Sequence, residues 1–223
     1  RDAQESRGLG DVYKRQILFG ARISLAVGCL AAVINLIVGT IYGGIAGYVG
    51  GKVDMIMMRV VDIIYSVPSM LYIVLIMLIF GASVVSIMLG ISITCWIDMA
   101  RIVRQQVKSL KEQEFTMAAF VLGASSSRIL LKHLLINTMG QIIVTVTLMV
   151  PQAIFTEAWL SFLGVGISAP MASWGTLAQD ARELIMTYPM QTVYPMIAIC
   201  ITIFSFNFVG EGLEKALDPK RKR

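Results

Sequence analysis

Charged residues are scarce in this sequence. Of its 223 residues, only 15% are charged while 57% are hydrophobic, and the mean hydropathy is +0.75. A soluble domain of this length needs far more charge to cover its surface. The composition therefore excludes an ordinary soluble protein and predicts a bundle of membrane helices.

Cysteine is also rare, and enzyme motifs are missing. The three cysteines lie inside apolar stretches and form no CxxC pair, which argues against a disulfide framework or a zinc site. The nearest approach to a phosphate-binding loop, Gly51-Lys52-Val53, lacks both the magnesium-binding hydroxyl and the first glycine. The single histidine, His133, has no nucleophile beside it, and neither HExxH nor GxSxG occurs. We therefore expect no catalytic site, no cofactor and no metal in this chain.

The net charge of +5 would fit a nucleic-acid partner, but its distribution does not. The basic residues cluster beside apolar segments, which is typical of membrane topology signals and not of a phosphate-binding patch. We predict a lipid bilayer as the surroundings and no nucleic acid as a partner.

The first sixteen residues differ from the rest of the chain. The segment RDAQESRGLGDVYKRQ is polar and gives way abruptly to an apolar stretch at Ile17. It lacks the apolar region and the cleavage site of a signal peptide, and 11–16 resembles the translated end of a sequencing-library transposon. We predict that residues 1–16 are a non-native segment or a polar loop, and that 17–223 form the membrane domain.

Apolar stretches predict five membrane-spanning helices, since a helix crosses the bilayer in about 20 residues. The uncharged run 63–97 is too long for one helix, and Gly81-Ala82-Ser83 supplies the reversal. The predicted fold is an all-α, polytopic helical bundle. Its spans are predicted at about 23–48, 55–79, 83–101, 134–155 and 191–211.

Lysine and arginine alternate between rich and poor connections. They are frequent in 49–59, in 102–133 and in the tail after Leu213, whereas 80–83 has none and 161–190 has only one. Because basic connections stay inside, the rich ones and the C-terminus are predicted to be cytoplasmic. The basic residues that precede the first span disagree with this orientation, which places them outside.

Several polar residues lie within the predicted spans. Asp62 is about seven residues into the second span, where a carboxylate is costly unless it pairs or faces water. Pairing with Arg59 and lining a translocation path both remain open. Pro68 should kink the same helix. Asp98 and Glu157 lie near the ends of predicted spans, which favours snorkelling or interfacial pairing.

Small residues recur every fourth position in the first span. This spacing lets two helix backbones approach closely, either within the chain or against a second membrane subunit. The two rows are Gly39, Gly43, Gly47 and Gly51, and Gly20, Ser24, Gly28 and Ala32.

The connection 102–133 is unusually long for a link between two spans. A helix is predicted over 112–122 with Phe115, Ala119 and Leu122 on one face. Gly123 should end this helix, and 125–127 can cap a second one that runs to His133. Such a pair is a candidate docking element, and the alternative is an amphipathic helix that rests on lipid.

This connection resembles the cytoplasmic "EAA" loop of binding-protein-dependent ABC importer permeases. The matching residues are Met117-Ala118-Ala119, Gly123, Ile129 and 133–135. The sequence is most similar to the second permease subunit of oligopeptide and dipeptide importers. Met117 replaces the glutamate of the motif, for which Glu114 could compensate, and Ile136 replaces a usual proline. The resemblance extends through 20–28, 61–70, 100–115, 157–167, 173–175 and 210–219.

The resemblance implies a transport subunit, not an enzyme, in the cytoplasmic membrane of a bacterium or archaeon. Its partners would be a homologous permease subunit, two cytoplasmic ATPases that use ATP and Mg²⁺, and an extracytoplasmic peptide-binding protein. A further N-terminal span is expected in the family, so we expect this chain to be truncated. Nickel or another solute in place of peptide, and an unrelated intramembrane enzyme or channel, are the alternatives.

The residues and the resemblance together give three groups of candidate site residues. Asp62 and Pro68 are candidates for the translocation path. Trp174, Asp180 and Arg182 are candidates for contact with the binding protein, an interfacial aromatic and surface charges being the alternative. The residues expected at the ATPase contact are Glu114, Met117, Ala118, Ala119, Gly123, Ala124, Arg128 and His133.

Overall fold

The computed structural model describes residues 2–167 and 171–217, and all regular secondary structure in these ranges is helical. A short 3₁₀ turn, Ala181–Leu184, follows the seventh helix. The helices in chain order are α1 (Asp2–Val49), α2 (Gly51–Tyr65), α3 (Ser69–Phe80), α4 (Val84–Lys111), α5 (Glu114–Val121), α6 (Ser126–Phe162), α7 (Trp174–Asp180) and α8 (Pro189–Leu217).

Four helices of the described chain are long and apolar enough to cross a bilayer, namely α1, α4, α6 and α8. The helices α2 and α3 together make a fifth crossing that is bent by 73°. The bend falls at Pro68, whose ring fixes φ and removes a backbone donor, which favours a break of the helix at this point. With the bent pair counted as one span, the prediction of five spans and of a kink at Pro68 is confirmed.

The N-terminal segment differs from its prediction. Helix α1 runs unbroken from Asp2 to Val49, so the polar loop proposed for 1–16 is wrong over residues 2–16. Several side chains there favour a helix, and extending an existing helix costs little once the apolar span has formed. The other alternative, a non-native segment, stays a prediction.

The glycine row of α1 packs against α4. A methyl group added to Gly39 would lie 2.6 Å from the Met99 Cβ, and one added to Gly47 would lie 2.7 Å from the Arg104 carbonyl oxygen. Gly43 faces the Ala100 backbone. These three glycines therefore pack within the chain, as one of the two interpretations held, because the two backbones come too close for a side chain.

Hydrophobic side chains fill the space between α1, α4 and α6. One cluster includes Val27, Ile73, Ile87 and Leu160, which are all buried. A second cluster, at the end of the bundle that carries the connection 102–133, adds Ala119 of α5 to residues of α4 and α6. Helix α8 packs on α6 and α7 and leaves most of its apolar surface exposed, as lipid or a second membrane subunit permits.

Candidate coupling segment and transmembrane cleft

The short helix α5 is anchored to the bundle through one narrow face. The Thr116 hydroxyl donates a 2.8 Å hydrogen bond to the Leu110 carbonyl at the end of α4. Ala119, one turn later, is buried among Val107, Ile129 and other apolar residues of the second cluster. These contacts fix where α5 lies, although it is only eight residues long.

The predicted stop at Gly123 is confirmed, and its geometry is a Schellman turn. Gly123 has φ 80°, a left-handed conformation that favours glycine. The Gly123 N–H donates to the Phe120 carbonyl (3.0 Å), and the Ala124 N–H donates to the Ala119 carbonyl (3.1 Å). Because these backbone bonds close the end of α5, the direction in which the chain leaves the helix is set locally.

The side of α5 that faces away from the bundle, together with its C-terminal end, carries exposed apolar side chains. We define the coupling tip as Met117, Phe120, Val121 and Leu122, which are all exposed, Leu122 to 87%. Of the three residues predicted to share one apolar face, only Ala119 is buried, whereas Phe115 and Leu122 are exposed. The helix ends before Leu122, and the hydrogen bond of Thr116 to α4 turns that residue inward instead of Phe115.

The second helix of the connection begins where it was predicted but does not end there. It starts at Ser126, passes through a π-helical turn over Ile129–Leu134, and continues as α6 into the membrane. The predicted end at His133 is wrong because no helix breaker follows, and Ile136 stands where a proline would interrupt the helix.

Some of the predicted ATPase-contact residues face the bundle and others are exposed. Ala119 is buried, and Ala124 and His133 are half-buried. The remaining five are exposed on the connection 102–133, namely Glu114, Met117, Ala118, Gly123 and Arg128.

Ion pairs tie α2 to α4. Arg104 binds Asp54 through two hydrogen bonds, one of them 2.6 Å from Nη2 to Oδ2, and the Lys108 ammonium lies 3.3 Å from the same carboxylate. Asp62 pairs with Arg101 at 3.0 Å. The expected Asp62–Arg59 pair is therefore wrong, since Asp62 points towards α4 while Arg59 is exposed.

A cleft with polar and apolar walls opens between α1, the α2–α3 break, α4 and α6. Its volume is about 460 Å³. Of the two candidates for the translocation path, Pro68 lies in the lining of this cleft and Asp62 does not, so their part in a path stays a prediction. The α4 wall carries Ile91, Thr94, Cys95 and Asp98, and the α6 wall carries Met149, Gln152, Ala153 and Thr156. Each set has the spacing of one helix face.

Sequence reasoning missed the part that Asp98 and Asn35 play in this cleft. Asp98 lies near the middle of α4, which extends ten residues beyond the predicted end of that span, so Asp98 is not close to a helix end. Asn35 is buried on α1 and belongs to the lining that α1 contributes to the cleft. One signal was available: Thr94 and Asp98 are one turn apart, which places both on the same helix face.

The outward end of the bundle holds a buried carboxylate, Glu157. It accepts hydrogen bonds from the hydroxyls of Ser24 (3.0 Å) and Ser161 (2.8 Å). Glu157 is therefore buried within the bundle and does not snorkel to the surface. Helix α7 folds back over the end of α6 and shields the carboxylate from solvent.

The outward connection also buries Trp174. This side chain is 4% exposed, and its indole N–H donates to the Ile17 carbonyl at 3.0 Å. Trp174 therefore offers no surface to a binding protein, because the capped start of α7 turns it inward. Asp180 and Arg182 are exposed beside a surface depression, so their predicted contact stays a prediction. Residues 168–170 of this connection lie outside the described ranges.

Solved structures share this arrangement. An inward-facing MetNI methionine ABC transporter matches with a TM-score of 0.72 at 17% identity, over 92% of this chain and 97% of the other. An amino acid ABC transporter with histidines gives 0.70 at 15% identity, over 93% and 97%. The fold thus defines the class, a polytopic helical membrane protein of the ABC importer permease type.

Sequence comparisons define the family. The chain belongs to the binding-protein-dependent transport system inner membrane components, which match residues 39–223. It is 52% identical to the oligopeptide transport system permease protein OppC of Bacillus subtilis, over 96% of this chain and 70% of the relative. It is 47% identical to the dipeptide permease protein DppC of the same organism, over 96% and 67%, and 44% identical to OppC of Escherichia coli K12, over 92% and 68%. The predicted family is confirmed.

Proposed function

We propose that this chain is the membrane-spanning permease subunit of an ATP-driven peptide importer. Membership of the family and similarity to oligopeptide and dipeptide permease proteins support the class and the substrate. ATP and Mg²⁺ would act in separate cytoplasmic ATPase subunits that contact the coupling tip. An extracytoplasmic binding protein would deliver peptide to the outward connection near Asp180 and Arg182.

The observation that carries the proposal is the coupling tip itself. Four large apolar side chains stand exposed on a helix whose direction is fixed by the Gly123 turn and whose inner face is locked to α4 and α6. Exposed apolar clusters of this kind mark protein interaction sites. A rigid connection to two membrane helices would let movement of a bound ATPase reach the bundle.

The cleft supports a translocation pathway that two permease subunits would form together. Its walls come from four segments of this chain, and it opens to the outside of the bundle. A second, homologous permease subunit would close it, and α8 offers the largest exposed apolar surface for lipid or for that subunit. Half of a translocation path per subunit fits alternating access between two packed halves.

The orientation completes the proposal. The coupling tip lies on the same side as the basic ends of α4 and α8, and this side would be cytoplasmic by the distribution of lysine and arginine. The C-terminus would then be cytoplasmic as well, and α7 would face the binding protein.

The test is a double substitution, Val121→Ser with Leu122→Ser. Both side chains are exposed, so we expect the stability of the bundle to change by no more than about 0.5 kcal/mol. Loss of the apolar contact should nevertheless release the ATPase from the purified complex and abolish ATP-dependent peptide uptake in proteoliposomes. ATPase retention and uptake are measured on variants present at equal membrane levels.

A matched control removes an equally exposed apolar side chain from the other connection. Met186 is 95% exposed, and Met186→Ser should leave ATPase retention unchanged. If the double variant keeps both the ATPase and full uptake, the tip does not dock the ATPase. A tip that only rests on lipid would give this result.

A further inference from the structure

Four acidic side chains lie in the membrane helices between residues 50 and 160, and three of them have partners. Asp54 and Asp62 form ion pairs, and Glu157 accepts hydrogen bonds from serine hydroxyls. Asp98 makes no ion pair within the described residues, 2–167 and 171–217. A carboxylate at this depth is costly unless it faces water or a charged partner.

The surroundings of Asp98 show whether its carboxylate faces water or a charged partner. Its nearest cation along α4, Arg101, is held by Asp62 and stacks on the Tyr65 ring at 4.4 Å. Asp98 itself is exposed and belongs to the cleft wall together with Thr94. The carboxylate therefore faces the open cleft and can meet a cation that enters it.

A second observation in the same cleft points to a ligand. Asn35 is fully buried, and its side-chain oxygen accepts no hydrogen bond from the described residues. Its amide group donates only to the sulfur of Met149, which is a weak acceptor. An unpaired buried amide oxygen is rare in folded proteins, and this one lines the cleft that contains Asp98.

We propose that Asp98 and Asn35 form a recognition site for the protonated amine of a passing peptide, and that this site favours peptides with a lysine side chain. The carboxylate complements the ammonium charge, and the free amide oxygen accepts one of its N–H groups. The uncharged hydroxyls and amide around them offer hydrogen bonds to any peptide backbone without discriminating between side chains. This inference rests on the proposed peptide transport.

The experiment compares two tripeptides of equal length, Ala-Lys-Ala and Ala-Glu-Ala, in proteoliposomes that contain the whole importer. The variant is Asp98→Asn, which removes the charge and keeps the shape. The same binding protein delivers both peptides to both importers, so the ratio of variant to wild-type uptake cancels its own preference. We expect uptake of the lysine peptide to fall about tenfold relative to the glutamate peptide, as loss of one charge-assisted hydrogen bond would give.

Three further variants sharpen the result. Asp98→Glu keeps the charge and should keep the lysine preference. Gln152→Lys places a cation on the facing wall of the cleft and should reproduce the selective loss without touching Asp98. Glu214→Gln removes an exposed charge near the end of α8 and should change neither peptide.

Two outcomes would overturn the inference. Equal changes in the uptake of both peptides in Asp98→Asn and in Gln152→Lys would show that the cleft does not distinguish peptides by their charge. Loss of the second permease subunit from the purified Asp98→Asn complex would assign the carboxylate to an ion pair between subunits. A wild-type importer that carries neither peptide would contradict the proposed function instead, and the wild-type uptake measured first separates this case.

Discussion

The two connections at opposite ends of the bundle are built in opposite ways. The connection 102–133 exposes the large apolar side chains of the coupling tip, and backbone hydrogen bonds around Gly123 hold its turn. The connection 161–190 buries Trp174 and covers the Glu157 carboxylate with α7. Apolar surface left exposed outside the membrane needs a partner, whereas a buried and satisfied polar group makes a connection part of the rigid bundle.

Glycine has a different task in each connection. At Gly123 an added methyl group would meet no atom within 4 Å, but φ of 80° disfavours any side chain. Gly175 lies in helix α7, where an added methyl group would lie 2.6 Å from the Ala158 backbone. Gly123 therefore sets the direction in which the chain leaves α5, whereas Gly175 permits α7 to pack closely on α6.

The largest effect is expected from Glu157→Ala. It removes the acceptor for the Ser24 and Ser161 hydroxyls and leaves a cavity, so the free energy of unfolding should fall by about 3 kcal/mol. The unfolding midpoint of the purified complex is the measurement. Glu214→Ala, an exposed acid in α8, is the control and should leave it unchanged. A midpoint equal to that of wild type would mean that the network does not hold the outward connection.

A pair of glycine substitutions should give smaller and unequal effects. Gly175→Ala forces the α7 and α6 backbones apart and should destabilise the protein by roughly 2 kcal/mol. Gly123→Ala meets only conformational strain and should cost about 1 kcal/mol, confined to the coupling segment. The two are distinguished by hydrogen exchange, which should rise across 158–180 in the first variant and across 114–124 in the second. Equal and global changes would contradict the contrast.

The smallest effect on stability is expected from single cysteines at Met186 and Leu122. Both side chains are almost fully exposed, so the substitutions should change stability by no more than about 0.5 kcal/mol. In a background without the native cysteines, a membrane-impermeant thiol reagent applied to intact cells should label the Met186 position and spare the Leu122 position. The reversed pattern would overturn the orientation.

Hydropathy, turn chemistry and charge predicted much of the fold and part of the site. The span count depends on the length of apolar stretches, the break at Pro68 on a missing backbone donor, and the turn at Gly123 on a positive φ. Each of these rules acts over a few neighbouring residues. The faces of α5 were predicted less well, because a single hydrogen bond to the end of α4 decides them.

The sequence by itself determined the class of this protein: the apolar runs require membrane helices, and their basic connections suggest which ends lie inside. Only the tertiary structure decided what each intramembrane charge and buried aromatic does. Asp62 reaches Arg101 and not Arg59, Trp174 turns inward, and Asp98 faces an open cleft. The physical reason is that these partners lie on other helices, and which helices become neighbours depends on packing between residues far apart in the chain.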